Sequence, residues 1–222
     1  MKSAVALAAL LFVAAPSDDI TYTARSVNVA EPGTPVKIKI LRWSTQDEQR
    51  PIVTALAAPP AQPSEVARAN AAAAGRGRAG AAGRGRGRGG AAAAPLSPID
   101  AFAAALRRAP TVGYLWTNDI TGYSIKYAWH APLGDGTERV ILASDRRLGA
   151  YENAWKSTAS ETDYVFTLIE LRVGPKGVIE GKTSLTNKIA VDKESNVVAL
   201  DNYSAAAASL APPRSSTPVA HK

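Results

Sequence analysis

Over most of its length the chain alternates apolar and polar residues with a period of two. Val36, Ile38 and Ile40 alternate with Lys37 and Lys39 in VKIKILRW, the pattern of a strand with one buried face. Residues 20–29 (ITYTARSVNV) precede it across the turn Glu31-Pro32-Gly33, which predicts an N-terminal hairpin. Residues 111–116 predict a short strand. In YSIKYAWH, Tyr123, Ile125, Tyr127 and Trp129 alternate with Ser124, Lys126, Ala128 and His130, and the turn Leu133-Gly134-Asp135-Gly136 leads into a returning strand over 139–143.

The clearest stretch is 163–203. Pairing Val173 with Ile179 around a turn at 174–178 sets Leu171, Ile169 and Thr167 against Gly181, Thr183 and Leu185. The same register places Glu170 opposite Lys182 and Arg172 opposite Glu180, whereas a slip of one residue sets the apolar positions against charges. These charges read as a cross-strand ladder on a solvated sheet face. Residues 188–191 and 197–203 predict a second hairpin around 192–196. Residues 145–162 read as irregular, with Tyr151 and Trp155 as anchors.

Two stretches break the period. Thr45 and Glu48 form a capping box that starts a helix, with Ile52 and Leu56 toward the core. Pro51 inside it predicts a kink or a restart, because proline removes a donor and clashes with the preceding turn. Ser97 caps a second helix with Pro98 at its first position; Ile99, Phe102 and Leu106 share a face, Arg107 and Arg108 complement the helix dipole, and Pro110 ends it. About nine short strands and two short helices predict an all-β fold, a β-sandwich or a closed antiparallel barrel, with the helices flanking a disordered insertion.

Composition adds boundaries. Residues 1–15 read as a signal peptide: Lys2 is followed by an apolar run over 4–15, too short to span a bilayer, which takes roughly 20 apolar residues. This predicts an exported protein, periplasmic or extracellular, that is soluble rather than transmembrane. Residues 16–204 read as a single β-rich domain, interrupted at 59–95 by a segment of Ala, Gly, Arg and Pro that lacks the apolar surface to offset the entropy of ordering. Residues 205–222 read as a disordered tail. The formal charge of +7 is concentrated in that insertion, whose six arginines face the single Glu65, so the rest of the chain is nearly neutral. The absence of cysteine excludes disulfides and thiolate chemistry.

No catalytic, cofactor or metal constellation emerges. GVIEGKT at 177–183 mimics a P-loop but has the wrong spacing and sits in a hairpin instead of a strand-to-helix turn. Asp135 and Glu138 beside a glycine turn lack the EF-hand pattern. His130, the one histidine outside the tail, would have to serve any Ser-His-Asp triad. Tyr123, Tyr127 and Trp129, with Trp116 and His130, make a candidate ligand surface by alternation. Arg76, Arg78, Arg84, Arg86 and Arg88 make a candidate electrostatic contact with an anionic polymer or lipid surface; they lack the interleaved aromatics that would stack nucleic-acid bases.

The runs LRWST, VGY, YSIKYA, ILASDRRLG, DYVFTLIELR and GKTSLTNKI resemble a family of uncharacterised exported bacterial β-rich proteins, over residues 21–203 and without the insertion. The resemblance implies one exported domain and no known activity, ligand or catalytic residue. The first reading is a non-catalytic exported β-domain that binds a small ligand or an envelope partner. The alternatives are an exported hydrolase using carboxylates (Asp145, Asp163) or His130, and a structural envelope protein with an Arg-rich electrostatic tether.

Overall fold

The computed structural model describes residues 19–58, 96–119, 121–150, 153–157 and 161–213. The expectations for 1–15, for 59–95 with the candidate arginines 76, 78, 84, 86 and 88, for Tyr151 and for 214–222 lie outside the described residues. The strands are β1 (Ile20–Ser26), β2 (Pro35–Ile40), β3 (Gly113–Trp116), β4 (Tyr123–Pro132), β5 (Glu138–Ser144), β6 (Thr167–Gly174), β7 (Gly177–Thr183), β8 (Ile189–Asp192), β9 (Val197–Leu200) and β10 (Leu210–Ala211). Two helices, α1 (Gln46–Ala57) and α2 (Pro98–Arg108), stand between β2 and β3.

Eight strands close a barrel in the order β1-β10-β7-β6-β5-β4-β3-β2, while β8 and β9 form a separate two-stranded sheet. Of the two predicted architectures, the barrel is the one formed. Its interior is filled by side chains, among them Tyr22, Ile38, Leu115, Tyr123, Ile125, Leu142, Leu171 and Leu210. Trp155, on a short 3-10 turn (Asn153–Trp155), joins that cluster at 2% exposure.

Over residues 205–213 the tail is ordered, against the expectation of disorder from Ala205. Ser209 donates its N–H to Gly181 O at 2.8 Å and accepts from Val27 N–H at 2.9 Å, and β10 then pairs with β7 and β1. Too short for a periodic signal, this segment becomes a strand because β1 and β7 offer it two open edges. Leu210 seats opposite Gly181, where a Cβ would stand 2.6 Å from the Leu171 side chain and 2.8 Å from that of Leu210.

A second layer covers the outer wall of β4, β5 and β6. Ile52, Phe102, Leu106, Val197 and Val198, from both helices and the β8–β9 hairpin, pack on Tyr127, Ile141 and Leu168. Thr45 and Glu48 form the capping box, and Ser97 accepts from Asp100 N–H at the start of α2, as the sequence predicts. Pro51 neither ends α1 nor restarts it. Its ring and the Asp47 backbone it fails to serve lie on the exposed side of the helix, where water can replace the lost donor.

The β6–β7 hairpin keeps the predicted pairs Glu170↔Lys182, Arg172↔Glu180, Leu171↔Gly181 and Ile169↔Thr183. The turn differs. Val173 pairs with Val178, not Ile179, and Gly174 pairs with Gly177, so Pro175 and Lys176 alone form the turn and a bulge beside Arg172 absorbs the extra residue. Ile179 is consequently exposed. The ladder is solvated only at its Arg172–Glu180 rung, and the Glu170–Lys182 rung is buried. Glu170 is 2% exposed and Lys182 5%, because the second layer lies over them. Glu170 accepts from Arg139 Nε at 2.7 Å and from Leu200 N–H at 3.1 Å, while Lys182 donates to Tyr203 O at 2.7 Å. Arg139 also reaches Asp192 at 2.8 Å, so one guanidinium ties the barrel wall to the β8–β9 hairpin.

Two predictions follow from this architecture. Gly181→Val overpacks the closure and is expected to cost about 1–3 kcal/mol, read as a lowered urea midpoint. Gly134→Val, where a Cβ would meet nothing within 4 Å, serves as the control and should leave the midpoint nearly unchanged. The second concerns pH. Hydrogen bonds from Arg42 and the Thr45 backbone lower the Glu48 carboxyl from 4.5 to about 2. Its contribution is therefore fully present above the ordinary carboxylate range and is lost as pH falls toward about 2. In acid titrations of stability, Glu48→Gln should flatten the curve between those limits and leave it parallel to wild type at neutral pH.

Candidate functional site

The strand β3 reads Gly-Tyr-Leu-Trp, and its residues alternate between buried and exposed. Gly113 and Leu115 face inward. Gly113 permits close approach to β2, since a Cβ there would stand 2.4 Å from Lys39 O. Tyr114 and Trp116 face outward at 39% and 38% exposure, with ring centroids 5.7 Å apart and planes tilted by 36°. The indole of Trp116 rests against Gly122, where an added Cβ would lie 2.9 Å from its Nε1, so the backbone fixes the ring's position.

Barrel register brings chemistry beside each ring. Lys37 pairs across the strands with Trp116 and Lys39 with Tyr114; on the far side Thr23 pairs with Lys37 and Thr21 with Lys39. The outer face of β1–β2–β3 thus carries two parallel rows, Thr23–Lys37–Trp116 and Thr21–Lys39–Tyr114. Thr21, Thr23 and Lys37 are exposed, and no described element packs over the rows. Lys39 is engaged by Asp19 at 2.7 Å. Lys37 has no hydrogen-bond or ion-pair partner among the described residues.

The candidate surface predicted by alternation is dispersed. In β4 the register shifts between Ile125 and Tyr127. Before this bulge Tyr123 and Ile125 point into the barrel; after it Ala128 does, and Tyr127 and Trp129 turn outward beneath the second layer. Tyr123 is 2% exposed and donates its hydroxyl to Asp119, and burial pushes that phenol up to about 12. Tyr127 is wholly buried. Trp129 lines a groove of about 610 Å³ between α1 and the β8–β9 turn, with Gln46, Gln49, Arg50 and Asn196. Ala57 and Ala58 line the same groove, at the point where the chain leaves the described residues. His130 stands exposed at the barrel rim, its ring stacked on Trp43 at 3.9 Å and its Nδ1 paired with Glu138. Of the five residues, only Trp116 belongs to the bare face.

The catalytic look-alikes resolve into scaffold. GVIEGKT is the strand β7 itself. Asp135 accepts from Thr137 N–H at 3.0 Å within its own turn. Asp163 lines a groove of about 480 Å³ whose arginines are already engaged, Arg147 by Glu161 at 2.8 Å and Arg146 by the Gly122 carbonyl and the Tyr123 ring. His130 does not line that groove. Among the described residues no cluster of three His, Cys, Asp or Glu could hold a metal ion, and no helix is long and apolar enough to cross a membrane.

Sequence reasoning set Lys37 and Lys39 on the polar face of their strand but missed them, with Tyr114, as members of a candidate site. The signal was present as two period-two strands, VKIKI and GYLW, each with a chemically uniform outer set. Only the pairing of β2 with β3 shows that the two sets stand side by side. Compared with protein-family models, with curated proteins and with solved structures, the chain matches none.

Of the four tryptophans, Trp155 is buried, Trp43 and Trp129 are half-buried, and Trp116 is exposed. Trp116→Phe is therefore expected to remove most of the iodide-quenchable emission, and Trp155→Phe to leave it in place. Quenching that persists in the Trp116 variant would show that this indole is covered in solution.

Proposed function

We propose that the chain is a non-catalytic exported β-barrel domain that binds an envelope partner through the outer face of β1, β2 and β3. The observation that carries this reading is the pair of exposed, touching aromatics on β3, each with a lysine directly across the strand. Exposed aromatic clusters rimmed by polar groups mark interaction sites, and Tyr and Trp supply large contact area at little conformational cost. Leu96, Val165 and Ile179, the other large exposed apolar side chains among the described residues, lie on other segments. Export is supported by the apolar run near the N-terminus and by the resemblance to exported bacterial proteins.

The non-catalytic part rests on how the reactive groups are used. Among the described residues His130 has a stacked indole and a carboxylate for partners and no hydroxyl nucleophile. The buried carboxylate of Glu170 is consumed by a guanidinium and a backbone N–H. The arginines at 76, 78, 84, 86 and 88 would add a salt-sensitive contact with the same anionic partner.

Co-sedimentation with a purified envelope fraction tests the reading. The Tyr114→Ala/Trp116→Ala variant should bind about tenfold more weakly or worse, a loss of about 1.4 kcal/mol or more. Deletion of residues 59–95 should weaken binding at low salt and matter little at high salt. Binding by the double variant equal to wild type would remove the face as the interface.

A further inference from the structure

Resting on that reading, we infer that the partner is an acidic glycan, a polymer whose repeating unit carries a pyranose ring and a carboxylate. The face itself repeats. Thr23–Lys37–Trp116 and Thr21–Lys39–Tyr114 present the same three chemistries in the same order, in rows set by the ladder. Moving two residues along a strand places the second row roughly 7 Å from the first. Each row offers a hydroxyl, an ammonium and an aromatic ring. A hexuronate unit answers all three: its hydroxyls meet the threonine, its carboxylate meets the lysine, and the apolar face of its ring stacks on the indole or phenol. A ligand that repeats along the strand direction uses both rows, which a single small molecule cannot.

Two further observations select this chemistry. The face itself carries two lysines, one of them offset by Asp19, which is far short of the basic footprint that a phosphate backbone requires. A polymer with one weak anion per ring suits it better. Trp116 also rests against Gly122 and is only 38% exposed, so it does not stand clear of the barrel as a wedge for a lipid surface. Because Lys37 has no partner among the described residues and Lys39 is held by Asp19, the row containing Trp116 should be the stronger subsite.

The test titrates the full chain with hexamers of galacturonate and of mannuronate and follows tryptophan emission and the Trp116 indole N–H resonance. Saturable binding is expected for at least one. The methyl-esterified, uncharged hexamer should bind about tenfold more weakly or worse. Lys37→Ala should weaken binding more than Lys39→Ala, and Trp116→Ala should abolish the emission response, with unchanged urea midpoints confirming that each variant folds. Oligothymidylate of equal length and phosphatidylglycerol vesicles should not compete. If neither hexuronate binds while the envelope fraction is still bound through Tyr114 and Trp116, the glycan assignment is wrong and the binding face stands. If the envelope fraction is not bound through those residues, the face itself is wrong. Tighter binding of oligothymidylate or of vesicles overturns the assignment in favour of nucleic acid or membrane.

Discussion

Leu210 and Ala211 occupy the gap between β7 and β1, and the closed shape depends on them. Without this short strand, β1 and β7 would each present an edge of unpaired N–H and C=O groups, which invites pairing with another chain. So short a ladder cannot hold by its own pairs. It is reinforced on every side: Ser209 bonds to both Gly181 and Val27, its hydroxyl meets that of Thr183 at 3.0 Å, and Arg25 Nε reaches Pro212 O at 3.1 Å. The glycine at 181 is the complement of this arrangement, since any larger residue there would push Leu210 off the seam.

Closure determines where function can reside. An eight-stranded barrel has an interior just wide enough to be filled or to hold one small ligand, and here Trp155, Tyr22 and Tyr123 belong to the cluster that fills it. The proposed recognition therefore uses the outer wall, which is divided. Three of its eight strands, β4 to β6, lie under α1, α2 and the β8–β9 hairpin. Glu170 holds that layer in place, because its two oxygens reach Arg139 on the wall and Leu200 in the hairpin. A carboxylate buried there would be costly without both partners, so it sets the seating of the second layer more than it adds net stability. Three others, β1 to β3, are left without a covering element among the described residues.

Local patterns were legible and long-range placement was not. The helix caps at Thr45 and Ser97, the hairpin of β8 with β9 and the pairs Glu170↔Lys182 and Arg172↔Glu180 could all be read from neighbours in the chain. The burial of Glu170 and Lys182 could not, because it depends on which face the second layer takes, and the charge pattern of an exposed ladder resembles that of a buried network. The bulge after Ile125 was equally hidden: YSIKYAWH alternates perfectly on paper, yet one out-of-step residue moved Tyr127 and Trp129 to the opposite face from Tyr123. Leu210–Ala211 gave no signal because two residues carry no period. For the candidate face, Trp116 was visible, but its lysine neighbours come from a strand more than seventy positions earlier, a pairing that requires the fold.

What distinguishes the β1–β3 face from the grooves is the condition of its charges. In the groove lined by Asp163 the arginines already have carboxylate, carbonyl or ring partners, and in the buried network around Arg139 the guanidinium is shared between Glu170 and Asp192. A ligand entering either would have to displace bonds that hold the structure together. On the bare face Lys37 has no described partner, and both rings are held by strands whose register the closed barrel enforces. Groups fixed before binding lose little freedom when a ligand arrives, which is how a small contact area can yield useful affinity. The same rigidity makes spacing a criterion of selection for the proposed ligand: its rings must answer two aromatics whose centroids stand 5.7 Å apart, or it can occupy only one row.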